Sequence, residues 1–456
     1  MYFCNMFQNQ DTICALATPN GVGAIGVIRL SGSNAFEIVS TVFSKNLIGL
    51  KSHTTHFGTI TSKEGGLIDE VLVAIFEDGK SFTGEESVEI SCHGSSYIQQ
   101  KIIAALIKNG CRLANPGEFT QRAFLNGKMD LSQAEAVADL IASESKSAHD
   151  IALKQLRGKF SSELKDLREK LINFASLVEL ELDFAEEDVE FADRTELKNL
   201  VTEVLAYIKR LAKSFELGNA IKNGVPVAIV GAPNTGKSTL LNQLLGDDRA
   251  IVSNIEGTTR DVIEETLNIE GILFRLIDTA GIREGAGEVE AMGIERSLEK
   301  IKQATIVLCL ADGTKEESIN HVSNWTSELK ETYPDKKILM VLNKIDIAPS
   351  KVDDAIHISA KHGENIKLLE ERLVSEVQGD FNLGNETIVS NARHYEALVK
   401  TAEALEKADF GLDSGVTGDF VAMDIRQAMF HLGSITGDIS TDDLLGNIFS
   451  KFCIGK

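Results

Sequence analysis

The segment Gly231-Ala-Pro-Asn-Thr-Gly-Lys-Ser-Thr239 carries the residue types that phosphate chemistry needs, at the required spacing. Its glycines at 231 and 236 let the backbone wrap closely enough to aim N–H groups at phosphate oxygens. Lys237 is set to reach β- and γ-phosphates, and the Ser238 hydroxyl to ligate Mg²⁺. Thr235, Gly236 and Thr239 complete the cradle. The apolar run Val227-Ala-Ile-Val230 precedes it, and Ser238-Thr-Leu-Leu-Asn-Gln-Leu-Leu245 follows. That is strand, loop and helix, the context in which such a loop binds phosphate.

Three more segments specify the nucleotide. Asn343-Lys344-Ile-Asp346 follows the strand-like run Ile338-Leu-Met-Val-Leu342. The Asp346 carboxylate can accept both the N1–H and the exocyclic N–H of guanine, a donor pair that adenine lacks. Ser359-Ala360-Lys361 follows another short apolar run and is expected to cover the base. Asp278-Thr279-Ala280-Gly281 ends the run Leu273-Phe-Arg-Leu-Ile277. There Asp278 is expected in the Mg²⁺ shell and the Gly281 N–H at the γ-phosphate. Four such pieces in order, each at a strand end, predict a GTP-binding domain over residues 220–378, a parallel sheet with helices on both faces.

The residue after Gly281 is Ile282, where switch-type GTPases often place a water-orienting Gln. Isoleucine cannot hydrogen-bond water. The carboxylates of Glu284, Glu288 and Glu290 are candidates for that role, and a solvated acidic loop is the alternative reading of the same spacing. Asn234 inside the cradle and Ser253-Asn-Ile-Glu-Gly-Thr-Thr259 offer an amide and carbonyls. Together they suit a monovalent cation beside the phosphates. Asn234 shaping the loop is the other reading. Thr259 is the candidate second Mg²⁺ ligand.

The elements around this domain differ in character. Residues 11 to about 125 alternate short apolar runs, such as Ala24–Ile28, Val71–Phe76 and Ser87–Ser91, with glycine-containing turns and helical patterns. They read as an α/β domain. From Leu131 strand signals vanish, and Leu164, Leu167, Leu171, Phe174 and Val178 recur at helical spacing. Helical patterning resumes after the nucleotide domain, from Tyr395 nearly to the end. The expectation is one helical domain in two segments with the nucleotide domain inserted between them.

Composition bounds the rest. The 456 residues leave room for several domains, and 43% hydrophobic content supports ordinary cores. No apolar run is long enough to span a membrane, and the first ten residues lack signal-peptide features, so a cytoplasmic protein is expected. The six cysteines (4, 14, 92, 111, 309, 453) show no paired spacing and are expected as free thiols. His53 and His56 have the spacing of a metal pair but lack further ligands. With a net charge of −22, a broad electrostatic grip on nucleic acid is not expected, and any RNA contact must be local or delivered by a partner.

The whole chain resembles the MnmE (TrmE) family of tRNA-modifying GTPases, within the TrmE-Era-EngA-like GTPases. The motifs that carry the likeness begin with Ala17-Thr-Pro19, Val27-Ile-Arg-Leu-Ser-Gly32, Phe82-Thr-Gly-Glu-Glu86, Val88-Glu-Ile90 and His93-Gly94. They continue through Pro116-Gly-Glu-Phe-Thr120, Arg122–Lys128, Asp130–Glu135, Leu432–Gly437 and Asp443-Leu-Leu445 to the terminal Phe452-Cys-Ile-Gly-Lys456.

The likeness implies a multidomain α/β plus all-α protein. Residues 1–126 would form an N-terminal domain for tetrahydrofolate binding and dimerisation. Residues 127–219 and 379–456 would form the two helical segments, and 220–378 the inserted P-loop G domain. It implies a K⁺-activated GTPase that acts as a homodimer and forms a heteromeric complex with an FAD-dependent partner, MnmG. Together they would add a carboxymethylaminomethyl or aminomethyl group to C5 of the wobble uridine of certain tRNAs. A 5,10-methylene- or 5-formyl-tetrahydrofolate would supply the one-carbon unit, and glycine or ammonium the amine.

Carried over by motif, Arg29, Glu89, Lys128 and Lys456 resemble folate-binding positions. Asn234, Ser253, Ile255 and Thr258 resemble K⁺ ligands, and Ser238 and Thr259 Mg²⁺ ligands. Glu290 is the family's choice for water positioning, and Cys453 resembles the cysteine of its C-terminal motif. The chemistry is compatible: a carboxylate such as Glu89 can pair with pterin N–H groups, and Arg29, Lys128 and Lys456 suit an anionic tail. The C-terminal tail must then point at an N-terminal domain. One departure is Val22 in Pro19-Asn-Gly-Val-Gly23, where the family often has Arg. The competing class is a regulatory or ribosome-assembly GTPase without modification chemistry.

Overall fold

The computed structural model describes residues 11–62, 65–183, 194–249, 265–277, 298–347, 352–379, 386–414 and 416–455. The candidates Ser253, Ile255, Thr258, Thr259, Asp278, Thr279, Ala280, Gly281, Glu284, Glu288, Glu290 and Lys456 lie outside these residues. The chain divides into two compact units. One comprises Met1–Ala138, Gln155–Ser162 and Gly433–Lys456, and the other Asp139–Lys154 and Glu163–Leu432.

In the first unit, strands β1 (Thr12–Leu16), β2 (Ile25–Ser31), β3 (Thr54–Thr61), β4 (Leu67–Phe76), β5 (Ser87–His93) and β6 (Cys111–Leu113) form one sheet. Its order is β3-β4-β5-β2-β1-β6, antiparallel except for the β1–β6 pair. The period of two decides which face is dry. Ile28 and Leu30 of β2, Val71, Val73 and Ile75 of β4 and Val88 and Ile90 of β5 are buried in one cluster. That cluster includes Phe36 and Val39 of the helix Ala35–Val42 and Ile102 and Leu106 of the helix Ser96–Lys108. The intervening residues, Arg29 and Glu89 among them, therefore face the other side. There, around β1, Ile13 and Ala15 pack with Ala114 and the fully buried Phe119 of the helix Glu118–Leu125.

An ion network fastens that helix. Arg122, 8% exposed, bonds Asp11, Glu118 and Glu85, and Arg112 bonds Asp11 and Glu118. The C-terminal helix Asp442–Phe449 adds Leu445, Ile448 and Phe449 to a cluster with Leu131, Ala134 and Phe124.

In the second unit, β7 (Val225–Val230), β8 (Glu265–Ile269), β9 (Ile272–Leu276), β10 (Ile306–Asp312), β11 (Lys337–Asn343) and β12 (Ala355–His357) form a sheet of order β12-β11-β10-β7-β9-β8. All neighbours are parallel except β8 and β9. Parallel strands buried on both faces read as continuous apolar runs, and every residue of β10 is buried. The helices Lys237–Arg249 and Ile366–Gln378 cover one face and Glu316–Thr332 the other.

The segments that flank this sheet in sequence pack on each other. Phe215 stacks on Tyr395 at 4.5 Å between centroids, Lys209 pairs with Glu406 at 2.7 Å, and the Val389 N–H donates to Ser214 Oγ at 3.0 Å. The helical domain is thus discontinuous and the G domain is an insertion in it. Ile151 and Leu217, from the first helical segment of residues 127–219, are buried in the core of the G sheet. Sequence periodicity cannot distinguish those two destinations.

Candidate nucleotide and cofactor sites

The parallel order brings the carboxyl ends of β7, β10 and β11 together. The loop after β7 leads into the helix that begins at Lys237. Thr235 is buried and its hydroxyl donates to the Ala232 carbonyl at 2.9 Å. Gly236 has φ +97, and a Cβ there would collide with the Asn343 side-chain amide. This is a close approach that only glycine allows. Lys237 Nζ donates to the carbonyls of Gly231 (2.8 Å) and Ala232 (2.9 Å). Burial first, then the charge of Lys300, holds its ammonium below the usual lysine range. Ser238 and Thr239 lie exposed in the first helical turn.

Asn343, 3% exposed, ties the site together. Its Nδ2 donates to the Thr235 carbonyl (2.9 Å), and its Oδ1 accepts the N–H groups of Lys344 (2.8 Å) and Ala360 (2.9 Å). One amide thus fixes the phosphate loop, the base-reading loop and the covering loop. Lys344, at φ +73, donates from Nζ to the Asn234 carbonyl at 2.9 Å. Asp346 Oδ1 accepts from the Ser359 hydroxyl at 2.6 Å, and that bond holds its carboxyl below the usual range. His362 Nε2 stands 3.6 Å from Asp346 Oδ2. Sequence reasoning missed Asp312. It is 5% exposed at the end of β10 and binds Lys344 Nζ at 2.6 Å. Its only sequence signal is an Asp closing an apolar run.

The N-terminal candidates converge in part. Arg29 and Glu89 are directly opposed in the β2–β5 register. Arg29 Nε and Nη2 both contact Glu89 Oε1, at 2.9 and 2.8 Å. The guanidinium lies 5.8 Å from the ring centroids of Phe82 and Phe119. Lys128 Nζ donates to the Gly79 carbonyl at 2.5 Å, on the turn that carries Phe82. Sequence reasoning named neither aromatic ring as part of the site, because each lies on a different element from Arg29.

The C-terminal tail meets the N-terminal sheet of its own chain. The Gly117 N–H donates to the Cys453 carbonyl at 3.4 Å, and the rings of Phe449 and Phe452 lie 5.4 Å apart. Gly455, at φ +96, is so close to Leu16 that a Cβ would collide with its carbonyl. Leu16 registers with Ile28, the neighbour of Arg29. Cys453 is exposed rather than a core residue.

The rings of His53 and His56 bond the hydroxyls of Ser52 and Thr54. Among the described residues no group of three or more His, Cys, Asp or Glu side chains could hold a metal, and no helix is long and apolar enough to cross a membrane.

Comparison with known proteins agrees with this organisation. The family model of the MnmE helical domain matches residues 131–453, and that of the GTP-binding protein TrmE N-terminus matches residues 12–128. A tRNA modification GTPase MnmE from Cytophaga hutchinsonii is 56% identical, with 98% of each chain covered. Its counterpart from Flavobacterium johnsoniae is 53% identical over 98% of this chain and 100% of its own, and one from Bacteroides fragilis 52% identical over the same shares. Among solved structures, the FeoB G-domain from Methanococcus jannaschii matches 34% of this chain and 98% of its own at 23% identity and a TM-score of 0.25. At that score the likeness adds nothing to the assignment.

Proposed function

Because the chain belongs to the MnmE (TrmE) family of tRNA modification GTPases, we propose that it hydrolyses GTP in the service of wobble-uridine modification. The observation that carries this reading is the pairing, in one chain, of a base-reading P-loop G domain with a TrmE-type N-terminal domain along the full length of its relatives.

In this reading Asp346 accepts the two guanine donors and Ser359 and Ala360 close over the base. The cradle of Asn234–Thr239 holds the phosphates, with Lys237 leaving its two loop carbonyls for phosphate oxygens. Ser238, Thr259 and Asp278 would hold Mg²⁺, and Asn234, Ser253, Ile255 and Thr258 would hold K⁺, which would supply positive charge beside the phosphates. Glu290 orients the attacking water. The exposed side chain of Asn234, set in a left-handed turn, supports this placement.

A tetrahydrofolate, when bound, supplies a one-carbon unit. The donor set fits it. Both Arg29 contacts fall on Glu89 Oε1, so the pair offers an acceptor and N–H donors side by side, next to the Phe82 ring. Lys128, whose ammonium reaches the Gly79 carbonyl, adds positive charge near it, the resemblance assigns Lys456 the same role, and Cys453 stands exposed on the tail. We propose further that the active species is a homodimer in complex with an FAD-dependent MnmG, acting on tRNA. Nucleoside analysis of tRNA from cells lacking the protein tests the reading. Loss of the C5 substituent on the wobble uridine is expected. Unchanged tRNA with defective ribosome assembly would favour a regulatory GTPase instead.

A further inference from the structure

The hairpin of β8 and β9 lies in sequence between the two segments that hold metal-ion and γ-phosphate candidates. Thr258 and Thr259 precede it, and Asp278–Gly281 follow it. Its strands pair without interruption from Glu265↔Leu276 to Ile269↔Ile272. Glu270 and Gly271 alone close it, at φ +51 and φ +86. Two left-handed residues in succession make the tight turn whose twist matches that of the strands. Glu270 takes that conformation although it carries a Cβ, which is uncommon. The Gly271 N–H donates to Asn268 Oδ1 at 3.0 Å. The hairpin is thus a paired arm, about 13 Å from Glu265 to Ile269, with a fixed tip.

The tip rests on the helix Lys146–Leu156. A helix leaves its first N–H groups without partners of its own. Here the Ala148 N–H donates to Ser145 Oγ at 3.2 Å, and the Ser147 N–H donates to the Gly271 carbonyl at 3.2 Å. A backbone carbonyl of the G-domain hairpin therefore caps a helix of the first helical segment. The fit is close, because a Cβ on Gly271 would stand 2.8 Å from Ser147 Oγ. Ala148 and Ile151 of the same helix pack in the core cluster that holds Leu267, Ile269 and Ile272 of the hairpin. Beyond Lys154 the chain runs on into residues 155–162 of the other compact unit.

We propose that the bond from Ser147 to Gly271 is a latch that passes the γ-phosphate state of the G domain to the helical domain, with Ser147 as a positioning residue; the inference rests on the GTPase reading above. In that reading GTP offers the Gly281 N–H a γ-phosphate that GDP lacks, so the two nucleotides load the base of the arm differently. A paired arm carries that difference to its tip, where it changes the hold of Gly271 on Ser147. A cap that only closes the helix would be indifferent to the nucleotide.

Amide exchange over residues 148–152 is measured by mass spectrometry on the full chain, with GDP and with a non-hydrolysable GTP analogue. The latch requires rates that differ at least about fivefold between the two nucleotides. Ser147→Pro removes the N–H at a first-turn position, where proline is tolerated, and Ser147→Ala keeps it. Ser147→Pro is expected to erase the nucleotide difference, to hydrolyse GTP within about twofold of wild type and to lower wobble-uridine modification at least about fivefold. Ser147→Ala is expected to match wild type in all three. Equal exchange with the two nucleotides in the wild-type protein overturns the proposal, and so does wild-type modification in Ser147→Pro. The first of these needs no variant, so a Ser147→Pro chain that fails to fold does not shield the proposal. If the protein binds neither nucleotide, the GTPase reading falls as well. If it binds both and the helix exchanges alike, only this inference falls.

Discussion

Asp312 and Lys344 form an ion pair of 2.6 Å in which the carboxylate is nearly buried and the ammonium also holds the Asn234 carbonyl. Burial pushes the Asp312 carboxyl up, but hydrogen bonds from Lys344 and Thr314 outweigh it and leave the group below its usual range. The pair links the base-reading loop to the phosphate loop.

Asp312→Ala is therefore expected to weaken GDP and GTP binding about tenfold, because Lys344 loses the anchor that aims it. Fluorescent-nucleotide titration measures this. Wild-type affinity would show that the Asn343 amide alone organises the site.

K⁺ dependence of hydrolysis is expected to need the Asn234 side chain. Asn234 sits at φ +63, so Ala would add backbone strain. Asn234→Gly removes the amide without that strain and is the cleaner test. Turnover in K⁺ should fall to the level seen in Na⁺, with nucleotide affinity little changed. Equal wild-type rates in the two salts would dismiss the cation site.

Asp346→Asn is expected to weaken GTP binding and shift preference toward xanthosine triphosphate. The amide presents a donor where guanine also presents one. The Ser359 hydroxyl can still bond the remaining oxygen, so the loop should stay in place. Competition between the two nucleotides gives the answer.

Arg122→Met should lower the stability of the N-terminal sheet by about 3 kcal/mol, since it strands the carboxylates around it. The same network sets a pH dependence. Burial pushes the Asp11 and Glu118 carboxyls up, and the arginines Arg112 and Arg122 pull both below their ordinary values of 3.8 and 4.5. The unfolded chain then binds more protons, so this stability is complete at neutral pH and is lost as pH falls below that range. The protection factors of amides in β1 and β6 should fall as pH drops below those ordinary values, and less steeply in Arg122→Met.

Deleting residues 453–456 is expected to abolish tRNA modification and spare GTP hydrolysis. Gly455→Ala should do the same, because its Cβ cannot coexist with the Leu16 carbonyl. Cys453→Ser then tests the thiol on an undisturbed tail. Loss of both activities would point to misfolding.

The G domain was readable because its motifs are local: each sits at the end of one apolar run, and a parallel sheet aligns those ends. Asp312 was not readable, because its meaning comes from register. It lies beside Asn343 only once β10 and β11 pair. Arg29 and Glu89 illustrate the same limit. Their spacing in sequence says nothing of the cross-strand contact that makes them one unit. Arg122 belonged to a recognisable motif, but its task of clamping a helix to Asp11 and Glu85 appears only in three dimensions.

The seat of Gly455 against Leu16 has a consequence for synthesis. Leu16 is made long before Gly455, so the N-terminal sheet stays open at that edge until the helical and nucleotide-binding segments between the two have been made. A chain cut short just before Gly455 would keep everything made up to that point except the one fitting that seals the first strand.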